Sequence, residues 1–384
     1  MATLTEAANF SKNASRRIIY ATGGLILLFV LFLVVRALVA TILPEKAAGA
    51  TVAFGKLPKY DLSEGIKPPA GITYSLQTIS GSLPQLPSMA KVFAIEQPQP
   101  LFGDVERFIR RAATIDFSAD PEEISPGKLR FIDQEQTGRI LTMDTINGNI
   151  NFTSDYLSDP KIAQTRPETI EEAQETARNF FRALEVNLED FGPEQVNIKK
   201  MRIDAGTLVE TPALAGTNLV LVNFVRDDLD GLDVIWPRAD KVSVWALVSG
   251  TEVVEAASSM ARVLGYKFAT YPLKSPALAF EELEAGRVAL TKRVELSGLN
   301  QSTPPDSYDE IFSEDQSLSE TSLKSEVIIL DVKLGYVESQ KNNQYLQPVY
   351  MFLATGGLIA YVPAVDEAWV DETSAPIPPV PPFP

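Results

Sequence analysis

The chain has 384 residues, 45% of them hydrophobic, no cysteine, no histidine, and a formal charge of −16. Without thiols or imidazoles it can form no disulfide, thiolate nucleophile, zinc–thiolate site or iron–sulfur cluster, no Ser-His-Asp or Cys-His constellation, and no histidine metal site. So acidic a surface repels nucleic acid and anionic headgroups.

Residues 1–17 form a short polar tail, and 18–42 read IIYATGGLILLFVLFLVVRALVATI. A bilayer core of about 30 Å takes roughly 20 apolar residues as a helix. The stretch is therefore expected to be a single-pass transmembrane helix acting as a signal anchor. A cleaved signal peptide has a shorter apolar region, although Ala48-Gly49-Ala50 offers a cleavage-like site; a buried core helix is the third option. Arg36 falls at the far end of the span, where it can snorkel to the headgroups or pair with a membrane partner. Lys12, Arg16 and Arg17 precede the span, so the N-terminus is expected inside and the bulk of the chain outside, as a cell-membrane protein.

Residues 43–100 are rich in proline and small residues, as in Lys67-Pro68-Pro69-Ala70-Gly71, and predict a stalk or extended arm with short strands at 72–79 and 89–95. Three units then follow, each a helix leading into an antiparallel meander. In the first, 101–160, Val105, Phe108, Ile109 and Ala112 share one face of a helix over 104–114. Strands are predicted near 128–133, 139–145 and 149–153, the last two joined by Asn147-Gly148. In the second, 161–272, Thr169 and Glu172 have capping-box spacing. Ile170, Ala173, Ala177, Phe180, Phe181 and Leu184 form one stripe, and Gly192-Pro193 marks the stop. Strands follow near 196–203, 219–226, 232–235, 242–248 and 252–257, with turns at Asp230-Gly231 and Ser249-Gly250.

The third unit, 273–365, opens on Ser275-Pro276, a favoured N-cap and first helical residue, and its helix stops at Gly286. Strands are expected near 288–294, 327–337, 347–353 and 358–362. The acidic, serine-rich 297–325 has little to bury and predicts a mobile loop. Residues 366–384 predict a disordered proline-rich tail. The fold class expected is α+β: one N-terminal transmembrane helix, then repeated units of a helix packed on a meander.

Candidate chemistry is sparse. The acidic run Arg226 to Asp233 lacks the first and last ligands of an EF-hand loop, and an acidic hairpin turn fits it better. Glu122/Glu123 and Glu281/Glu282 are adjacent pairs that do not converge. Lys274-Ser275 has no S-x-x-K spacing. Trp236, Trp245 and Trp369 are candidate interface anchors, with Trp245 better placed in the core, and the tail is a candidate ligand for an aromatic groove. No residue is assigned a catalytic, cofactor-binding or metal-ligating role, and no cofactor is expected.

The stretch 224–235 with its Asp-Gly hairpin, the strand 242–248 and Ser249-Gly250 come first. Val332-Lys333-Leu334-Gly335-Tyr336, Leu346-Gln347-Pro348-Val349-Tyr350-Met351-Phe352 and Tyr361-Val362 follow. This order, with a helix between, resembles the YycH/YycI-like regulatory proteins and, more loosely, PepSY-type helix-plus-meander domains, over roughly 215–365. The resemblance implies a non-enzymatic protein of a bacterial envelope that restrains a membrane partner such as a sensor kinase. It supplies no catalytic residues. The expected function is thus an extracytoplasmic interaction or regulatory protein with a membrane-protein partner. The alternatives are a structural envelope component or subunit of a membrane assembly, and a carboxylate-dependent tethered enzyme.

Overall fold

The computed structural model describes residues 49–69, 71–97, 105–134, 136, 138–212, 216–237, 242–292, 326–342 and 344–371. The described residues from Val52 onward belong to one compact unit. In chain order the elements begin with β1 (Leu57–Pro58), β2 (Thr73–Leu76), β3 (Met89–Ile95) and α1 (Val105–Ala113). The meander β4 (Glu122–Ser125), β5 (Lys128–Ile132), β6 (Ile140–Asp144) and β7 (Ile150–Thr153) comes next. Helices α2 (Pro160–Gln164) and α3 (Ile170–Ala183) precede β8 (Val196–Asp204), β9 (Thr207–Glu210), β10 (Leu219–Phe224) and β11 (Val234–Ile235). Then come β12 (Val244–Ser249), β13 (Glu252–Ser258), β14 (Val263–Pro272), α4 (Pro276–Glu284) and β15 (Ala289–Lys292). The last elements are β16 (Glu326–Val337), β17 (Tyr345–Leu346), β18 (Pro348–Ala354), β19 (Leu358–Pro363) and β20 (Val370–Asp371).

Nine strands join into one antiparallel sheet in the order β4-β5-β6-β7-β13-β12-β10-β8-β9. Strand alternation sends Leu129, Phe131, Leu141, Phe152, Val222 and Phe224 to one face, where Phe108 and Ala112 of α1 and Ala173, Ala177 and Phe181 of α3 cover them. Leu219, Leu221, Trp245 and Leu247 point the other way, into a second core with Ile162 of α2. Helix α3 starts where Thr169 accepts the Glu172 N–H at 3.1 Å. It ends at Ala183, earlier than Gly192-Pro193 implied. Glu185 takes a left-handed backbone (φ 53) and closes a Schellman turn, Val186 N–H to Phe181 C=O at 2.9 Å. Its carboxylate is gripped by Arg107 and Arg111 of α1 at 2.8 and 2.6 Å.

The second large sheet has six strands, β11-β16-β18-β19-β15 with β2 also on β16; β2 and β11 run parallel to β16. Helix α4 covers one face through Ala279 and Leu283 against Tyr350, Phe352, Ala360 and Val362. The arm 52–66 covers the other through Tyr60 and Leu62 on Val349, Met351 and Tyr361. Polar contacts pin that arm. Tyr60 donates to the Val337 carbonyl at 3.3 Å, Asn342 bonds both backbone groups of Asp61 at 2.8 and 2.9 Å, and the Ser339 hydroxyl donates to the Glu64 carboxylate. A three-stranded sheet β14-β3-β17 and a parallel pair β1-β20 complete the fold.

The expected α+β class with three helix-and-meander repeats is corrected. Strands hold 41% of the described residues against 16% in helix, and four α-helices are described. The first two units are one sheet, fused where β7 pairs with β13. The third borrows β2 from the region expected to be a stalk and β11 from the second unit. Alternating apolarity fixes that a segment is a strand and which face is buried, but not which strand lies beside it. The transmembrane, single-pass reading is corrected too. No described helix is long and apolar enough to cross a membrane. The longest, α3, has 14 residues, about 21 Å of rise against a core of about 30 Å. The expected span 18–42 and Arg36 lie outside the described residues, as do the expected loop 297–325 and the tail from 372. The tail was expected from 366, yet 367–371 form a 3₁₀ turn and β20.

Candidate functional site

The pairs weighed in the sequence are each occupied locally. Ser275 caps α4 by accepting the Leu278 N–H at 3.2 Å, and Lys274 is buried on Glu282 at 2.7 Å, so they form no dyad. Glu122 binds Arg130 at 2.7 Å and Glu123 accepts the Gly127 N–H at 3.0 Å. Glu281 is exposed whereas Glu282 is buried. Asp230 and Gly231 both have positive φ (58 and 74), the backbone of the expected Asp-Gly turn, although β11 beyond it pairs with β16. Burial and the neighbouring Asp233 and Asp227 raise the Asp228 carboxyl above its ordinary range. Among the described residues no group of three or more acidic side chains could hold a metal ion.

The strongest buried polar constellation lies between the two large sheets. Arg226, just past β10, meets Glu338, just past β16, through two bonds of 3.2 Å. Their side chains are 5% and 4% exposed. Asp190 takes a third guanidinium bond at 2.5 Å and the Ala261 carbonyl a fourth at 2.7 Å. Glu338 also accepts the Ala261 N–H at 2.7 Å and the Ser243 hydroxyl at 3.4 Å. Burial alone would lower the guanidinium; Glu338 and Asp190 outweigh it, so the charge is held more firmly than usual. Every partner here belongs to the chain itself, and the constellation works as a clasp.

The outer strand β14 carries what the clasp lacks, which is exposure. Its register against β3 slips between Leu264, opposite Ala94, and Phe268, opposite Phe93. Gly265, Tyr266 and Lys267 therefore bulge out of the ladder. Tyr266 is 83% exposed and Phe268 45%. Phe268 rests on Phe93, with ring centroids 5.9 Å apart, and Lys91 lies over it at 4.6 Å while pairing with Asp230 at 2.5 Å. Sequence reasoning assigned 263–272 no element. The signal present was its aromatic and β-branched content, VLGYKFATYP. The tryptophans it singled out are not exposed anchors. Trp245 is buried, Trp236 packs on the same core, and Trp369 packs edge-on against Tyr271.

A separate cleft of about 570 Å³ opens between the arm and the end of α4. Leu62, Pro68, Pro69, Ile72 and Tyr74 give it an apolar wall; Lys67, Glu284 and Arg287 supply charge. Gly286 (φ 75) closes α4 with a Schellman turn, Arg287 N–H to Glu282 C=O at 2.9 Å, and so turns the chain along the cleft. The Tyr74 hydroxyl is buried without a hydrogen-bond partner among the described residues, and burial raises it above the ordinary tyrosine value.

No family model and no curated protein matches the chain. A crystal structure of an uncharacterized protein from Eubacterium rectale ATCC 33656 is similar with a TM-score of 0.36 and 12% identity, over 71% of this chain and 82% of that one. A likeness so slight carries no argument.

Proposed function

We propose that the chain is a non-enzymatic interaction protein that docks a protein partner through the Tyr266–Phe268 bulge. The observation that carries the reading is an aromatic ring 83% exposed on a bulged outer strand, beside a second ring held rigid by Phe93 and Lys91. Aromatic anchors dominate protein interfaces because they bury large area with few rotors. The bulge blunts the edge against indiscriminate strand addition while lifting Tyr266 outward. The exposed Lys267 beside Tyr266 favours a partner with acidic residues around the pocket that receives the ring. A regulatory role, by restraint of that partner, belongs to the same proposal and is supported by the resemblance to YycH/YycI-like proteins.

A photo-crosslinking residue placed at 266 is expected to give one adduct of defined mass, and the same residue at 157 none. The partner so found, purified, is expected to bind Tyr266→Ala at least tenfold more weakly, a loss of about 1.4 kcal/mol or more. Unchanged affinity, or no adduct at 266, overturns the reading.

A further inference from the structure

We infer that the cleft between the arm and α4 binds a small amphiphilic anion, an aliphatic carboxylate whose hydrocarbon body lies on the apolar wall and whose charge meets Lys67 and Arg287. The inference is independent of the Tyr266–Phe268 bulge. Size is the first support. At about 570 Å³ the cleft falls within the range of small-molecule sites, roughly 300–1,000 Å³. The wall is the second. Leu62, Pro68, Pro69 and Ile72 are half-buried there, and Val288 is buried. The two prolines carry no N–H, so this wall offers a ligand hydrocarbon contact and few donors.

Charge decides what the other end of the ligand is. Lys67 and Arg287 line the same cleft, both exposed, and neither side chain has an ion-pair or hydrogen-bond partner among the described residues. That is notable in a chain with 50 acidic residues against 34 basic ones. Glu284 on the same rim offsets only one of the two cations. Lys341 and Asp61, which bond Ser63 at the edge of the cleft at 2.6 and 2.7 Å, offset each other. The end of α4 does not repel an anion through open carbonyls, because Glu282 and Leu283 C=O accept the Arg287 and Gly286 N–H at 2.9 and 3.0 Å. A guanidinium and an ammonium beside a hydrocarbon wall complement a carboxylate on an aliphatic body.

The chain has no cysteine, so one environment-sensitive dye on Ala285→Cys, at the rim, reports on this cleft in the full chain. Decanoate below its micellar concentration is expected to shift the dye's emission saturably, and to bind at least tenfold more tightly than decylammonium. Affinity should rise from octanoate to decanoate by up to about fourfold per methylene. Lys67→Glu with Arg287→Glu should weaken decanoate at least tenfold and strengthen decylammonium. The urea midpoint should stay unchanged, because neither side chain has a partner to lose, and a merely misfolded cleft would not reverse its preference. No shift with decanoate, equal binding of the two amphiphiles, affinity independent of chain length, or a charge-reversed chain that still prefers decanoate overturns the inference. A peptide with an apolar last residue and a free carboxylate that binds at least tenfold more tightly than decanoate overturns the small-molecule assignment.

Discussion

Arg226 and Glu338 face each other between the two large sheets, joined by two bonds of 3.2 Å although 112 residues separate them. One leaves β10 of the nine-stranded sheet, the other β16 of the six-stranded sheet. Removing one partner strands the other as a buried charge, which costs about 3–5 kcal/mol, whereas replacing both with apolar residues can be nearly neutral. Arg226→Met is therefore expected to lower the urea midpoint sharply and Arg226→Met/Glu338→Leu to restore most of it. Asp190→Asn should cost less than about 1 kcal/mol, because the Asp190 side chain is 59% exposed.

Helix caps provide a milder test. Thr169 and Ser275 each accept one backbone N–H at the start of α3 and α4, at 3.1 and 3.2 Å. Each is expected to lose about 1 kcal/mol as alanine. The caps sit on different sheets, so the losses should add within about 0.5 kcal/mol in the double variant. Urea unfolding of the three variants checks both statements.

Buried tyrosines set an alkaline limit. Burial pushes Tyr350 up to about 12, and its hydroxyl donates to the Lys274 carbonyl at 2.6 Å. Tyr60 and Tyr361 are also raised, by burial first, then at Tyr60 by Tyr361 and Glu64 and at Tyr361 by Glu64 and Asp61. A raised folded pKa means the folded state keeps its proton longer. Stability is then full below the ordinary tyrosine value of about 10 and falls above it, by up to about 1.4 kcal/mol per pH unit for each such tyrosine. Urea midpoints are expected to be flat up to about pH 9.5 and to drop through pH 11, and Tyr350→Phe should make that drop shallower.

At Gly65 the arm lies close against the second sheet. A methyl group there would meet the Tyr361 hydroxyl, and Ala289 Cβ at 2.7 Å. Gly65→Ala is expected to cost about 1–3 kcal/mol by overpacking. It should also expose the arm 52–66 to proteolysis before the sheets unfold. Cleavage in the arm at parental rates would contradict this account of how the arm is seated.

Local chemistry was legible in the sequence. Thr169 with Glu172, Ser275-Pro276 and Asp230-Gly231 each act within a few residues, and the structure places them as caps and a turn. Asn147-Gly148 was half legible. Gly148 alone is left-handed (φ 71), because Asp144 accepts the Ile146 and Asn147 N–H groups at 2.8 and 3.0 Å and sets a longer loop. Pairings such as β7 with β13, β2 with β16 and β1 with β20 left no trace, since a strand's own alternation carries nothing about its neighbour. The candidate site was illegible for a related reason. Tyr266 is exposed because β14 slips register against β3, a property of two strands rather than of either. The clasp also escaped notice, because Arg226 sits in a run that reads as an acidic turn.

The parallel pairing of β1 with β20 has a consequence for biosynthesis. Leu57 and Pro58 emerge from the ribosome long before their partners Val370 and Asp371. β2 likewise waits for β16, and Tyr60 for Val337, 277 residues on. The nine-stranded sheet draws only on residues between 122 and 258 and can close during translation. The arm cannot be seated until β16 and β20 have been made, so the second half of the fold is completed later, through long loop closures that slow it and leave strands unpaired meanwhile. Nascent chains stalled before Val370 should therefore depend on chaperones more than the finished protein does.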